Sequence, residues 1–134
     1  MRAKRINAAG YVHPVSTFTQ AVEVEAGGKM IFFSGITARN DKADVLYPGD
    51  IEKQCRQIFE NIRLILHEAG ASMDDVVKTN AYVTHADYME VYRRTKDEAF
   101  GRPAPPGTVV QVIALYNPLQ LIEIELIAVV HDKK

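Results

Sequence analysis

The sequence predicts an α+β fold, a mixed β-sheet with two helices packed on one of its faces. Apolar residues recur at three- and four-residue steps from Ile51 to Ala69, which is typical of an amphipathic helix. The segments around it alternate or run continuously apolar, which is typical of strands. The resulting order is hairpin, helix, strand, helix and two strands, and elements that segregate in this way form an α+β sheet.

The N-terminal part is expected to form a short edge strand and a loop, followed by a β-hairpin. Polar and apolar side chains alternate from Phe18 to Val24, and the apolar segment Met30–Phe33 follows. Gly27-Gly28 lies between them, and such a pair supplies the positive φ angles that a tight hairpin turn needs. Residues 40–49 are polar and contain a Pro-Gly pair, which indicates a loop.

Two helices and a strand follow. Asp50 is placed to cap the first helix, and Gly70 is placed to end it in the left-handed conformation. Residues 76–84 have the composition of a strand. The second helix is expected to open at Asp87, with Glu90 completing a capping box, and to end before Gly101 because prolines follow.

The last two strands are predicted over residues 108–115 and 121–131, and the second of them is apolar on both faces. A strand of this kind is covered on both sides. The two helices can cover one face, but a chain of 134 residues has nothing left to cover the other. We therefore expect the covering layer to come from another copy of the chain.

Glu123 and Glu125 interrupt the second face of that strand. An ionised carboxylate in a dry interface is costly unless it is paired, hydrogen-bonded or open to water. One interpretation makes one of them an acid, a base or a ligand in a cleft between subunits. The other places both at an exposed strand end or pairs them with Lys or Arg across the interface.

Composition limits the classes of function. The net charge of −1 and the absence of a basic cluster argue against nucleic-acid binding, and no apolar run is long enough to span a membrane. A single cysteine, Cys55, and no recognisable signal peptide favour the cytoplasm. Cys55 lies on the apolar stripe and is expected to be a small buried hydrophobe, and the four histidines lack metal-ligand spacing.

Taken together, several motifs resemble the RidA/YjgF family of reactive-intermediate deaminases. They are, in order, Phe18-Thr19-Gln20-Ala21, Phe33-Ser34-Gly35, Pro48-Gly49-Asp50-Ile51, Gln54, Asn61-Ile62, Glu68-Ala69-Gly70, Asp75-Val76-Val77-Lys78-Thr79, Tyr82-Val83-Thr84, Ile122-Glu123-Ile124-Glu125 and Ile127-Ala128. The resemblance covers nearly the whole chain and is specific in the joint order of these motifs. It implies a single domain over residues 1–134, a chorismate-mutase-like fold, and a homotrimer that binds a small molecule in clefts between subunits.

The resemblance also implies a reaction and a set of site residues. Family members that deaminate hydrolyse enamines and imines, such as 2-aminoacrylate and its 2-imino acid tautomer, to 2-keto acids and ammonia, and no metal or organic cofactor is implied. Glu123 corresponds to the family's catalytic glutamate. The substrate-binding positions fall on Phe18, where tyrosine is usual, on Ser34 and Gly35, and on Gly107 and Thr108.

The arginine that follows the family's proline-rich loop is absent, because Gly107 stands in its place. A guanidinium holds a carboxylate by two parallel charge-assisted bonds, so its loss weakens binding of a 2-imino acid. Arg102 and Arg39 are alternative sources of the charge, but neither is at the family's position. The substrate is accordingly expected to lack the carboxylate, or to be larger and more apolar.

Two functions remain open on the sequence alone. The first is a deaminase of altered specificity or weak activity, which Ser34, Gly35 and Glu123 favour. The second is a non-catalytic trimer that binds or senses a small ligand, which Gly107 and Phe18 favour. Phe18, Tyr92 and Tyr116 are candidates for the pocket lining in either case.

Overall fold

The computed structural model describes residues 3–10, 19–101 and 103–132. Six strands and two helices lie within these ranges, and their arrangement confirms the α+β prediction. In chain order the elements are β1 (Ala3–Ile6), β2 (Ala21–Val24), β3 (Lys29–Phe32), α1 (Ile51–Glu68), a 3₁₀ turn (Met73–Asp75), β4 (Val76–Val83), α2 (Tyr88–Phe100), β5 (Gly107–Gln111) and β6 (Ile122–Val130). Neither of the two helices found in the described ranges has the length and apolarity that a bilayer span requires.

The main sheet is mixed, as predicted, and has the strand order β3-β6-β4-β5. Strands β4 and β5 are parallel and are connected through α2, whereas β6 pairs antiparallel with both β3 and β4. Strand β5 ends at Gln111, earlier than predicted, and Ile113 just beyond it is fully exposed.

The predicted hairpin of β2 and β3 is wrong. Strand β2 pairs with β1 in a separate two-stranded sheet, and β3 pairs with β6. The Gly-Gly segment instead allows a close approach, because a Cβ on Gly28 would lie 2.7 Å from the Val129 side chain and 3.0 Å from the Val130 carbonyl oxygen. Strand β3 therefore pairs with the long apolar strand β6 and not with β2, its neighbour in the sequence.

The two helices begin differently. Asp50 has extended backbone and accepts a hydrogen bond from the Lys53 N–H at 3.0 Å, which confirms the predicted cap of α1. The capping box predicted for α2 is wrong, because Asp87 already has helical backbone (φ −63°, ψ −19°) and its side chain makes no cap. Its own N–H lies 3.1 Å from His85 Nδ1.

The core lies between the helices and one face of the main sheet. It is built from alternate residues of β4 and β6 and from the apolar stripe of α1: Cys55, Ile58, Phe59, Ile62, Leu66, Val76, Ala81, Val83, Ile122, Ile124, Leu126 and Ala128. Burial of each large aliphatic side chain contributes about 1.5–3 kcal/mol. The helices therefore cover one face only, as the sequence predicts.

The opposite face of the main sheet is called here the outer face. It carries Met30, Phe32, Lys78, Asn80, Tyr82, Glu123, Glu125 and Ile127. Met30 is 59% exposed and Phe32 is 67% exposed in the single chain. Large apolar side chains and carboxylates thus share a surface that neither of the two described helices covers.

Gln54 joins α1 to the segments that enter and leave it. Its side chain is fully buried, and its Nε2 donates to the carbonyl oxygens of Leu46 (3.2 Å), Tyr47 (3.3 Å) and Leu119 (2.9 Å). Its Oε1 accepts from the Leu121 N–H at 2.9 Å. These bonds fix the start of β6, from which Glu123 projects.

Replacing Gln54 by leucine is expected to lower the free energy of unfolding by about 2–4 kcal/mol, because the partly buried Leu121 N–H and Leu119 carbonyl lose their partner. Urea denaturation at one fixed protein concentration measures the effect. Gln111→Leu, on an exposed position at the end of β5, is the matched control. Equal stability losses in both variants would contradict the assigned role of Gln54.

Candidate functional site

An open groove of about 720 Å³ lies between the loop that follows β3, helix α1 and the start of β6. Its walls are formed by Gly35, Ile36, Thr37, Arg39, Asn40, Asp41, Leu46, Gln57, Asn61, Leu64, Ile65 and Glu123. The volume is in the range of small-molecule sites, and the walls combine apolar side chains with a few polar and charged groups. Gly35 and Glu123, two of the predicted site residues, lie in this groove, together with Arg39 and Asn61.

Gly35 and Glu123 are in direct contact. The chain after β3 runs beside β6, where Ile36 and Ile124 exchange backbone hydrogen bonds of 2.8 Å and 3.0 Å. A Cβ on Gly35 would lie 2.5 Å from both Cδ and Oε2 of Glu123. Only a residue without a side chain leaves the carboxylate in this position, which explains the glycine.

The structure distinguishes the two glutamates of β6. Glu125 accepts a hydrogen bond from the Tyr82 hydroxyl, which raises the pKa of that tyrosine, and it lies 3.5 Å from the Asn80 amide nitrogen. Glu123 is half-buried and has no hydrogen-bond partner among the described residues. Glu125 is thus engaged in the sheet, whereas the Glu123 carboxylate faces the groove without a partner.

Helix α1 holds the groove loop in place. Asn61 Nδ2 donates to the carbonyl oxygens of Thr37 and Arg39, both at 3.1 Å, and Gln57 Nε2 donates to Asn61 Oδ1 at 3.0 Å. Gln57 was not predicted as a site residue. The signal in the sequence is that Gln57 and Asn61 are two amides four residues apart on α1, since residues at this spacing share a helix face.

Gly107 lies outside the groove, at the first residue of β5. It pairs with Thr79 of β4, and a Cβ on it would lie 2.1 Å from Thr79 Oγ1, 2.6 Å from the Thr79 carbonyl oxygen and 3.0 Å from Lys96 Nζ. Burial lowers the pKa of Lys96 to about 8. A side chain at residue 107 would therefore point toward the helix-covered face, whereas Glu123 lies on the outer face.

Ser34 and Thr108, two further predicted substrate-binding residues, are not among the residues that form the walls of this groove. Ser34 precedes Gly35 and is exposed, and Thr108 is exposed beside Asn80, on the row of the sheet that holds Glu125. Phe18 and Arg102 lie outside the described residues.

Three other predicted positions have plain structural environments. Tyr92 is buried in the core, where burial raises its pKa to about 12, and Tyr116 is 93% exposed. Cys55 is fully buried and burial raises its thiol pKa to about 11, which confirms the prediction of a small buried hydrophobe. Over the ranges that the structure describes, no three His, Cys, Asp or Glu side chains converge as a metal-binding group.

A second groove of about 580 Å³ lies along the two helices, and both of its arginines are already paired. Arg56 contacts Glu98 at 2.8 Å, and Arg63 contacts Glu60. Lys53 also lines this groove, with its ammonium 5.8 Å from the centroid of the Tyr47 ring. Exposed helix-surface pairs of this kind contribute little, and neither Gly35 nor Glu123 lines this groove. The groove beside Glu123 is therefore the stronger candidate.

Comparisons with known proteins identify relatives over nearly the whole chain. Residues 9–130 match the family described as endoribonuclease L-PSP. A RutC family protein of Pyrococcus abyssi is 35% identical over 115 residues, which cover 86% of this chain and 87% of that protein. A 2-iminobutanoate/2-iminopropanoate deaminase of Dermatophagoides farinae is 29% identical over 117 residues, covering 87% and 88%. A solved Rid family protein of Yersinia pestis superposes with a TM-score of 0.85 at 28% identity, covering 97% of this chain and all of that one.

Replacing Gly35 by alanine is expected to push the Glu123 carboxylate away by about 1 Å, since an ordinary contact needs at least 3.4 Å and the added Cβ would meet it at 2.5 Å. Because the displaced group is the end of a half-exposed side chain, the fold should survive. A crystal structure of the variant measures the displacement. Gly10→Ala, where a Cβ meets nothing within 4 Å, is the control. An unmoved Glu123 in the Gly35 variant would contradict the described contact.

Proposed function

The chain belongs to the RidA/YjgF family, and from this membership we propose that it is a hydrolytic deaminase of small reactive imines and enamines. The 2-iminobutanoate/2-iminopropanoate deaminase relative supports this class of reaction. The departures at Gly107 and Phe18 lead us to propose a specificity different from that of family members that carry the arginine and the tyrosine.

The observation that carries the proposal is the position of Glu123. Its carboxylate lies against Gly35 in a groove of small-molecule size, and no described residue satisfies it. A partnerless, half-buried carboxylate is suited to bind a water molecule and to accept its proton. Glu125, two residues along the strand, is already hydrogen-bonded to Tyr82 and does not have this freedom.

In the proposed reaction, water adds to the C=N carbon while Glu123 accepts its proton. Glu123 returns this proton to the nitrogen, which gives a neutral carbinolamine. The carboxylate then accepts the carbinolamine hydroxyl proton and passes it to the nitrogen, so that ammonia leaves as the C=O bond forms. The C–N bond breaks, the C=O bond forms, and the sum is imine plus water giving carbonyl compound plus ammonia. The carboxylate ends in its starting state, so the cycle needs no oxidant or reductant.

We propose that the working unit is a homotrimer, in the cytoplasm, with a small-molecule ligand in each cleft between subunits. The half-exposed Met30 and Phe32 on the outer face support an assembly that covers this face. Burying them against identical chains removes apolar surface that a single chain leaves in water.

A second candidate function is a trimer that binds a small ligand without hydrolysing it. The environment of Gly107 favours it, because Thr79 and Lys96 occupy the space that a side chain at this position would need. The chain therefore lacks a carboxylate-binding arginine at the place where the family resemblance expects one.

The matched family is described as an endoribonuclease, but the charges of this chain do not favour binding of RNA. The net charge is −1, and Arg56, Arg63, Arg93 and Arg94 on the helices are each paired with a glutamate. A surface that binds a phosphate backbone presents free cations instead.

Replacing Glu123 by glutamine is expected to lower kcat/KM for imine hydrolysis roughly 10²- to 10⁴-fold, the usual contribution of a positioned acid–base group. The assay generates 2-imino acids in situ with an amino-acid oxidase and follows their decay against a buffer blank. Glu68→Gln, an exposed helix position, is the matched control and should keep the rate of the unmodified protein.

The outcomes separate the two functions. Unchanged hydrolysis in the Glu123 variant would contradict the assigned role of that carboxylate. In a second assay, a panel of alkyl and aryl imines decays with and without the unmodified protein. If the protein does not accelerate this decay but binds carbonyl analogues saturably, the binding function is correct and the deaminase proposal is wrong.

A further inference from the structure

We propose that Arg39 is the anion-binding residue of the Glu123 groove, and that this groove selects a carboxylate carried on a branched apolar chain. Arg39 lies on the loop that follows β3, on a different part of the chain from the arginine that the family resemblance leads one to expect near residue 107. Identifying the bound anion as a substrate rests on the proposed function. The binding site itself does not.

The Arg39 backbone is fixed at the groove wall. Its N–H donates to the Thr37 carbonyl oxygen at 2.9 Å, and its carbonyl oxygen accepts from Asn61 Nδ2 at 3.1 Å. The next residue, Asn40, accepts from the backbone N–H groups of Lys42 and Asp44 at 2.9 Å and 3.0 Å. Because these hydrogen bonds hold the loop, the Arg39 side chain starts from a fixed backbone position before a ligand binds, which lowers the entropic cost of binding.

Among the described residues, the Arg39 guanidinium lacks the carboxylate partner that four arginines on the two helices have. Its Nε is buried and makes no hydrogen bond within the described part of the chain. Arg56, Arg63, Arg93 and Arg94 are paired with carboxylates. The two terminal nitrogens are not buried and have no partner among the described residues, and a carboxylate can satisfy them by two parallel charge-assisted bonds.

The same groove has an apolar wall. Ile36 and Leu46 line it, and Leu64 and Ile65 of α1 stand beside them, 71% and 40% exposed. Large aliphatic side chains exposed next to an unpaired cation are suited to an amphiphilic organic anion. With a volume of about 720 Å³, the groove has room for a chain longer than that of propanoate.

The remaining charges of the groove set the orientation of the ligand. Glu123 and Asp41 also line it and repel an anion, so the carboxylate is directed to Arg39. The electrophilic carbon next to that carboxylate is then directed toward Glu123. The expectation that the substrate lacks a carboxylate, which follows from Gly107 alone, is replaced here by an anionic ligand held from another loop.

Calorimetric titration with 4-methyl-2-oxopentanoate, and with the uncharged 4-methyl-2-pentanone, tests the inference. The acid should bind the unmodified protein, and Arg39→Gln should weaken it about 10- to 100-fold, the loss expected for charge-assisted bonds. The neutral ketone should bind both proteins alike. Arg39→Lys keeps the charge but not the two-pronged guanidinium geometry, so its affinity for the acid should lie between those of the unmodified protein and of Arg39→Gln.

Arg93→Gln is the matched control, because it removes the same charge from an exposed helix position outside the groove. Equal affinity of the acid for the unmodified protein and for the Arg39 variants, or no binding of the acid, would overturn the inference. Pyruvate should bind more weakly than the branched acid, and Leu64→Ala should reduce that difference. Equal affinities for the two acids in the unmodified protein would overturn the apolar part.

Binding and turnover fail independently in this design. Arg39-dependent binding of the acid by a protein that leaves imines at the blank rate overturns the proposed function and supports the inference. If imine hydrolysis depends on Glu123 but not on Arg39, and binding of the acid does not depend on Arg39 either, the proposed function is supported and the inference is overturned. Circular dichroism of each variant establishes that it is folded, and Arg39→Lys supplies the comparison if Arg39→Gln does not fold.

Discussion

Strand β6 is the element on which the other parts of this structure depend. Its two edges pair with other strands, one face contributes to the core, and the other face carries the candidate catalytic residue. Its edges pair with β3 and β4, and Ile36 extends the pairing beyond β3. Its inner face supplies four core residues that pack against the helices, whereas its outer face carries the two glutamates. Because side chains alternate along a strand, neighbouring residues about 3.3 Å apart serve the core on one side of the backbone and the candidate site on the other.

The local parts of the fold were predictable, whereas the long-range pairings were not. The apolar period over Ile51–Glu68 and the Asp50 cap depend on neighbours within one or two helical turns, so the sequence carries the whole signal. The partner of β3 lies about a hundred residues away, and a Gly-Gly pair gives no indication that it serves close approach to Val129 and not a hairpin. The cap of α2 failed for a geometric reason that side-chain identity does not reveal, the helical backbone of Asp87.

The candidate site was predictable in part. Glu123 and Gly35 were recognisable from motifs, and the structure brings them into contact. The different surroundings of Glu123 and Glu125 depend on the register between β4 and β6, which places Tyr82 and Asn80 beside them. Spacing alone gives two equivalent carboxylates. The direction of a side chain at residue 107 depends equally on register, which a resemblance between sequences does not determine.

The outer face connects the fold to the proposed chemistry, since closing a groove from bulk solvent strengthens the electrostatic interactions of a carboxylate such as Glu123 with its substrate. Identical chains that bury Met30 and Phe32 would provide this closure and would bring a second surface toward Glu123. Sedimentation velocity at micromolar concentration tests this central claim most directly. The account predicts a particle of about 45 kDa, three times the 15.0 kDa of one chain. A single species of 15.0 kDa over the whole concentration range would contradict it.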